Sequence, residues 1–284
     1  MRLLITGAGG MLGQDVCAAA NRAGHGVLRL TRGELDITDL GALARTFAEA
    51  APDAVINCAA WTDVDGAESA SDAALAVNGE GAGNVARTAA AHGAWTIHIS
   101  SDYVFDGGKR ERYVESDHVA PLSAYGRSKL AGEQAVTAAS PERHTIVRSS
   151  WLFGAGGPCF PATMLRLAAE RDEVTVVDDQ VGCPTFTGHL AAALVALATR
   201  ARPPRGVLHV AGRGACSWYD LARETIAAAG LACEVRRGRT ADLGRPAPRP
   251  PYSVLGTERP GEAPELPHWR DGLSEYLTAT VPAR

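Results

Sequence analysis

Tyr125 and Lys129 stand four residues apart in a chain that has only two lysines, and Ser101 lies upstream, just past the apolar run Trp95 to Ile99. These residue types can finish the reduction of a carbonyl. A hydride arriving at a ketone carbon leaves negative charge on the oxygen, and a proton must be supplied there. A phenol near its ordinary pKa of about 10 gives up its proton reluctantly. An ammonium one helical turn away stabilises the phenolate and lowers that pKa, while a serine hydroxyl hydrogen-bonds the same oxygen. The Tyr-Lys pair by itself is weak evidence, because on many helices a tyrosine simply packs and a lysine lays its stem along the surface.

Stronger evidence stands at the N-terminus. Leu3, Leu4 and Ile5 form an apolar run, Thr6-Gly7-Ala8-Gly9-Gly10-Met11-Leu12-Gly13 follows, and a helical pattern begins near Asp15. The pattern predicts a strand, a glycine turn and a helix. Gly7 permits the tight turn, Gly10 lets the backbone approach a pyrophosphate, and Gly13 lets helix and sheet pack closely. Met11 and Leu12, at the start of the helix, join Gly7 and Gly10 as candidate dinucleotide contacts. A glycine cluster can also be no more than a flexible turn, so the assignment rests on the two motifs together.

The elements that must position these residues are visible as alternation. Apolar segments at Leu3–Ile5, Gly26–Leu30, Ala54–Asn57, Trp95–Ile99, Thr145–Val147, Val174–Val177 and Val207–Val210 alternate with helical patterns, among them the alanine-rich stretch Ser71–His92 and Ser123–Ala139. The fold class is α/β, a Rossmann-type doubly wound parallel sheet covered on both faces. Ligands of such sheets gather outside the carboxyl ends of the strands, where Gly7, Ala59, Ser101 and the residues after Val147 emerge. Past about Ser149 glycines and prolines break the regularity. The expected division is a dinucleotide-binding domain over residues 1–149, its sheet completed by later segments, and a smaller substrate-binding lobe over 150–284. The stretch Arg236 to Pro260 mixes arginines and prolines; it reads either as a solvated connection or as a source of a phosphate-clamping guanidinium.

Composition bounds the partners. A chain of 284 residues can bury a core without disulfides or metal. A formal net charge of -4 with interspersed signs offers no basic stripe for nucleic acid or for an anionic membrane. The six cysteines include no C-x-x-C pair and no zinc-finger spacing to histidine, which suits a reduced, cytoplasmic protein. The longest aliphatic run, Leu190 to Ala198, is too short to span a bilayer, and the first strand begins too early for an export signal to precede it.

With these residues in view, the chain resembles the dTDP-4-dehydrorhamnose reductases, within the extended short-chain dehydrogenases. The likeness runs through Leu35 to Asp39, Pro52 to Ala60 and Thr62 to Glu68. It is most specific in Ser100-Ser101-Asp102-Tyr103-Val104-Phe105-Asp106 and in the stretch from Pro121 to Glu133. It continues through Arg148 to Phe153, Asp179 to Thr185, and Arg249 and Pro250 with Ser253 and Leu255. The resemblance implies NAD(P)H-dependent reduction of the C4 keto group of dTDP-4-dehydro-L-rhamnose, with Ser101, Tyr125 and Lys129 catalytic and Tyr125 the proton donor. It implies that Lys129 also holds the cofactor ribose, as Tyr125 borders it, and that Asp36, Ile37, Ala59 and Ala60 border the dinucleotide. It places Asp102, Trp151 and Arg249 on the substrate side. An aspartate after a strand can instead cap a turn, and a lone tryptophan can be core. Many members carry threonine where Ser101 stands, which keeps the hydroxyl.

Cofactor choice turns on the end of the second strand, where NAD-binding chains place an acid against the ribose hydroxyls. Here Leu30-Thr31-Arg32 follows, and Arg32 suits the extra phosphate of NADP; NADPH is favoured and NADH remains open. Some relatives bind magnesium through glutamates at a dimer interface. Asp15 stands near one such place, but Thr185 to His189 offers no carboxylate, so no metal is expected and the choice between monomer and homodimer is open. Three rival readings share the motifs. An epimerase or dehydratase is disfavoured because only Asp102 follows Ser101 where a dehydratase has an acidic pair. A reductase of a related dTDP-4-keto-6-deoxysugar, such as one leading to dihydrostreptose, stays open. A non-catalytic NADP-binding regulatory subunit would have no need of the complete Ser101, Tyr125 and Lys129 set.

Overall fold

Leu3, Leu4 and Ile5 are almost fully removed from solvent, as a strand covered on both faces requires. In the computed structural model, which describes residues 1–281, they lie in β1 (Arg2–Thr6). Next come β2 (Gly26–Leu30), β3 (Ala54–Asn57), β4 (Trp95–Ser101), β5 (His144–Ser149) and, much later, the Gly206–His209 strand. All neighbours run parallel, in the order β2-β1-β3-β4-β5 and then Gly206–His209. The strand order reverses between β1 and β3, and a crevice opens there at the carboxyl ends.

Period-two alternation divides each strand between two apolar layers. Leu3, Ile5, Ala54, Ile56, Ile97 and Val147 pack with Val16 of helix α1 (Met11–Arg22) and with Leu190 and Leu194 of the Thr187–Ala198 helix. Leu4 and Val55 point the other way, against Leu43, Phe47 and Val85. Ile146 meets Ala82, Ala86 and Val136 on that side. One covering helix and one edge strand are therefore drawn from residues well past 149.

The remaining C-terminal segments build short sheets of their own. Val174–Val177 is indeed strand, within Glu173–Val177, but it stays out of the central sheet and pairs in parallel with Glu234–Gly238. The start of the arginine- and proline-rich stretch is therefore regular structure. The Phe160–Glu170 and Trp218–Ala228 helices close over this pair through Met164, Val174, Val176, Ala222 and Ile226. A second small core gathers Phe153, Leu221, Trp269, Leu273 and Tyr276.

The alanine-rich stretch is not one uniform helix. Between Ser71–Leu75 and Ala82–Ala91 the backbone widens into a π-helical turn, Ala76–Gly81. Such turns commonly mark functional sites, and this one presents Asn78. The buried Asn78 amide accepts from Trp61 N (2.8 Å), donates to Trp61 O (3.1 Å) and donates to Ser128 Oγ (2.9 Å). It ties the loop after β3 to the helix that carries Tyr125.

Candidate active site

β4 ends at Ser101, whose hydroxyl accepts from Tyr103 N at 3.2 Å and so caps the short 3-10 turn Asp102–Val104. The capping bond turns the chain sharply at the strand end and leaves Ser101 and Asp102 at the mouth of the crevice. Opposite them the Ala124–Ala139 helix begins, with the Ser123 side chain accepting from Gly126 N at 3.1 Å. Gly126 lets the helix approach the turn closely, because a Cβ there would lie 2.3 Å from Tyr103 O. Tyr125 thereby comes edge-on to Tyr103, with ring centroids 5.6 Å apart.

Part of the Tyr125 ring is open to the cleft, but burial around its hydroxyl pushes the phenol up to about 12. Hydrogen bonding with Ser101 pulls the other way, and the Asp102 charge raises it further. Lys129 lies one turn along the helix and is buried; its ammonium donates to Ile99 O at 2.6 Å. Burial brings Lys129 down to about 8, partly opposed by the Glu133 carboxylate. The charge is thus anchored on the backbone of β4, and the phenol is not its hydrogen-bond partner. Glu133 is held by Arg148, through Nε and Nη2 at 2.8 and 2.7 Å, and by Ser100 Oγ at 2.6 Å, all of them buried. That network fixes the helix to β4 and β5.

Around these groups lies a cleft of about 970 Å³ whose lining includes Gly7, Gly10, Met11 and Leu12, then Arg32, Asp36 and Ile37, then Ala59 and Ala60. The same cleft reaches Ser101, Asp102, Tyr125, Lys129 and Trp151. One end fits a dinucleotide. Gly7 sits at φ +64, where a Cβ would come within 2.5 Å of Ala59 N; at Gly13 a Cβ would lie 2.3 Å from Gly7 O. Gly10 is the N-cap of α1, with no side-chain cap and no acid in the first turn, so the helix end offers its amides and its positive dipole to phosphate. Asp36 is exposed and folded back on Thr38, accepting from its amide and hydroxyl at 2.9 and 2.8 Å, which holds its carboxyl below the ordinary value.

At the other end Trp151 takes φ +47, an uncommon conformation for a bulky residue. Its ring lies flat on Trp218, centroids 3.6 Å apart and planes within 4°. Gly182 makes room beneath, since a Cβ there would fall 2.5 Å from the Trp151 ring. Ser149, in register with Ser101 across β4 and β5, also borders the cleft, and its buried hydroxyl has no partner among the described residues. Arg249 is placed differently. It forms a two-pronged pair with Asp65 (3.0 and 2.8 Å), donates to Ala247 O at 2.7 Å and does not border the cleft.

Trp218, Asn78 and Ser253 belong to the site or its supports and were not singled out for such roles by sequence reasoning. A tryptophan after a serine cap has no spacing that marks it, Asn78 lies in a helix-like alanine run, and Ser253 stood out only through the late family motif. Among the described residues no group of histidine, cysteine or acidic side chains is placed to hold a metal ion.

The whole chain can be compared with known proteins on this geometry. A family profile described as "RmlD substrate binding domain" matches residues 1–281. A dTDP-4-dehydrorhamnose reductase of Streptomyces griseus is 46% identical over 285 residues, covering 98% of this chain and 93% of the relative. A dTDP-4-keto-6-deoxy-D-glucose reductase of Streptomyces niveus is 42% identical over 287 residues, with 96% of each chain covered. The crystal structure of the Bacillus anthracis dTDP-4-dehydrorhamnose reductase in complex with NADP superposes with a TM-score of 0.93 at 36% identity, covering 98% of this chain and 99% of the other. A match of this extent, over a cleft that gathers the Ser-Tyr-Lys set at one end and the glycine turn at the other, places the chain in the dTDP-4-dehydrorhamnose reductase family.

Proposed function

We propose that the protein reduces the C4 keto group of dTDP-4-dehydro-L-rhamnose to give dTDP-L-rhamnose, using NADPH. The observation that carries this reading is the single cleft bordered at once by the glycine turn and by Ser101, Tyr125 and Lys129. The bound nicotinamide would supply the hydride. The chain's own residues do the rest. Gly7, Gly10, Met11 and Leu12 hold the pyrophosphate against α1, and Ala59 and Ala60 line the opposite wall. Arg32 meets the ribose phosphate of NADPH, and Asp36 and Ile37 flank the adenine. Lys129 holds the nicotinamide ribose, and its charge near the site favours loss of the Tyr125 proton. Ser101 holds the carbonyl oxygen while Tyr125 delivers a proton to it.

Asp102 and Trp151 shape the sugar pocket. Arg249 serves it indirectly, through its two-pronged pair with Asp65. Residues 1–149 act as the dinucleotide half and 150–284 mainly as the substrate lobe. No described helix is long and apolar enough to cross a membrane, and all six cysteines are free thiols, in keeping with work in the cytoplasm. Neither nucleic acid nor membrane is a partner, and the catalytic set is complete within one chain.

The Streptomyces niveus relative favours a second reading, reduction of another dTDP-4-keto-6-deoxysugar by the same residues. The test is loss of nicotinamide absorbance with freshly generated dTDP-4-dehydro-L-rhamnose, run with NADPH and NADH in parallel. Turnover with formation of dTDP-L-rhamnose supports the first reading. Turnover only with dTDP-4-keto-6-deoxy-D-glucose, assayed in parallel, selects the second, and cofactor binding without turnover of either sugar overturns both in favour of a regulatory subunit.

A further inference from the structure

Ser101, Asp102 and Ser253 form a buried line of hydrogen bonds that joins the late part of the chain to the candidate catalytic serine. Ser253 Oγ donates to Asp102 Oδ2 at 2.6 Å, and Asp102 Oδ1 lies 3.1 Å from Ser101 Oγ. Ser253 is 1% exposed and Asp102 2%, so water does not compete for these bonds. Ser253 itself is fixed through its amide, which donates to Val181 O at 2.8 Å, while Val181 N donates to Pro251 O at 2.9 Å.

A serine has one hydrogen to give. Ser101 already accepts from Tyr103 N. A carboxylate at Asp102 can only accept, so it takes the Ser101 hydrogen and leaves that hydroxyl unable to donate to a sugar oxygen. A carboxylic acid with its proton on Oδ1 does the opposite. It donates to Ser101 and frees the serine hydrogen to point into the cleft beside Tyr125. The bond from Ser253 marks Oδ2 as the accepting oxygen and leaves Oδ1 to carry the proton.

We propose that Asp102 works as a neutral carboxylic acid, oriented by Ser253, and that both are positioning residues which turn the Ser101 hydroxyl toward the C4 oxygen of the sugar. This rests on the reductase reading above. Asp102 keeps its proton throughout; the one that ends on the sugar oxygen comes from Tyr125. Burial supports the assignment, since it pushes Asp102 up to about 7 against the opposing bonds from Ser253 and Ser101. The ionisable groups that feel the Asp102 charge are Tyr103 on its own turn, Tyr125 on the facing helix and Cys183 from the C-terminal segments, and each is driven toward its neutral form by it. The nearby cations are engaged elsewhere, Arg249 by Asp65 and Lys129 by Ile99 O.

The test is the pH dependence of single-turnover hydride transfer in wild type, Asp102→Asn, Ser253→Ala and Ser253→Thr, with NADPH affinity measured alongside. The acid form is the competent one, so the wild-type rate falls as pH rises through about 7, approaching about tenfold per unit. Asparagine donates to Ser101 and accepts from Ser253 but cannot ionise. Whatever its plateau rate, Asp102→Asn loses the inflection near 7 and keeps only the later one near the Lys129 value of about 8. Ser253→Ala removes a bond that lowers the Asp102 pKa, so its inflection moves to higher pH while the plateau drops about tenfold, and threonine restores both.

An Asp102→Asn profile that keeps the wild-type inflection, or a Ser253→Ala profile that does not move, overturns the proposal. A substrate-free measurement separates its failure from failure of the reductase reading. The infrared band of a protonated carboxyl, present below about pH 6 and lost by about pH 8.5, belongs to Asp102 if it is missing in Asp102→Asn. Its absence from wild type overturns the proposal even if the enzyme turns over, and its presence upholds the neutral acid even if the substrate is a different ketosugar.

Discussion

The rings of Trp151 and Trp218 lie face to face, 3.6 Å apart and within 4° of parallel, although the two residues belong to different segments of the C-terminal half. Trp218 follows the Ser217 cap of the Trp218–Ala228 helix, where the serine hydroxyl and the Asp220 carboxylate hold each other's backbone amides. A capping box therefore places one wall of the Trp151 end of the cleft, the end proposed to take the sugar. Trp218→Ala removes that wall and the partner that holds Trp151 at φ +47. We expect KM for the ketosugar to rise about tenfold, equivalent to about 1.4 kcal/mol, with NADPH affinity unchanged; steady-state kinetics over both substrates checks this.

Tyr125→Phe keeps the ring packed edge-on against Tyr103 and removes the proposed proton donor. Turnover is expected to fall by about 10² to 10⁴, while NADPH binding, followed by fluorescence, changes little. Full activity in this variant would mean that the proton comes from elsewhere.

Lys129 offers a stability test with a definite sign. Burial brings its pKa down to about 8 in the fold, from the ordinary lysine value of about 10.5. Below about 8 both folded and unfolded chains carry the proton, and the cost of burying the charge is felt in full. As pH rises from about 8 toward 10.5, the folded chain gives up its proton first and that cost fades, so this group adds stability with increasing pH. Lys129→Met is therefore expected to unfold at no lower temperature than wild type at neutral pH, and to lack this pH-dependent gain, while losing turnover and cofactor affinity. Calorimetry at two pH values checks the first part.

Arg32 is exposed at the rim of the cleft, just past β2. Arg32→Ala is expected to reduce the preference for NADPH over NADH by about tenfold or more, the scale of one lost charge-assisted contact. The ratio of kcat/KM for the two cofactors reads it directly, and an unchanged ratio would remove Arg32 from the cofactor site.

Gly126→Ala tests the close approach of helix and turn. The added methyl would meet Tyr103 O at 2.3 Å, so the helix must shift. A loss of about 1–3 kcal/mol in stability is expected, with a fall in kcat exceeding that in cofactor affinity, because Tyr125 moves with the helix start.

Local features were the most legible from sequence. Apolar segments alternating with helical patterns mark β1 to β5, and the glycine turn and the Tyr125-Lys129 spacing each mark a place where a strand end or helix face meets the cleft. What sequence could not supply was contact between distant segments. Val174–Val177 reads as one more strand, yet its partner, Glu234–Gly238, is a charged edge rather than the central sheet. Arg249 has the chemistry to hold a phosphate, but a carboxylate 184 positions away holds it first. The Lys129 spacing implied charge beside a phenol, whereas the carbonyl of Ile99 claims the ammonium. In each case the competing partner is set by tertiary packing and leaves no local trace.

The return of the Gly206–His209 strand and the Thr187–Ala198 helix to the central layers bears on how the chain comes off the ribosome. Every residue of the Ser-Tyr-Lys set has been synthesised by position 129, but β5 keeps a bare edge until Gly206–His209 arrives beside it. Leu3, Ile5 and Val16 likewise wait for Leu190 and Leu194 to cover their side of the sheet. A nascent chain halted near residue 149 exposes an unpaired parallel edge and an open apolar face, the features that invite aggregation. The half of the chain that carries Ser101, Tyr125 and Lys129 is thus written first, and its sheet and one covering layer are completed only by segments that follow it.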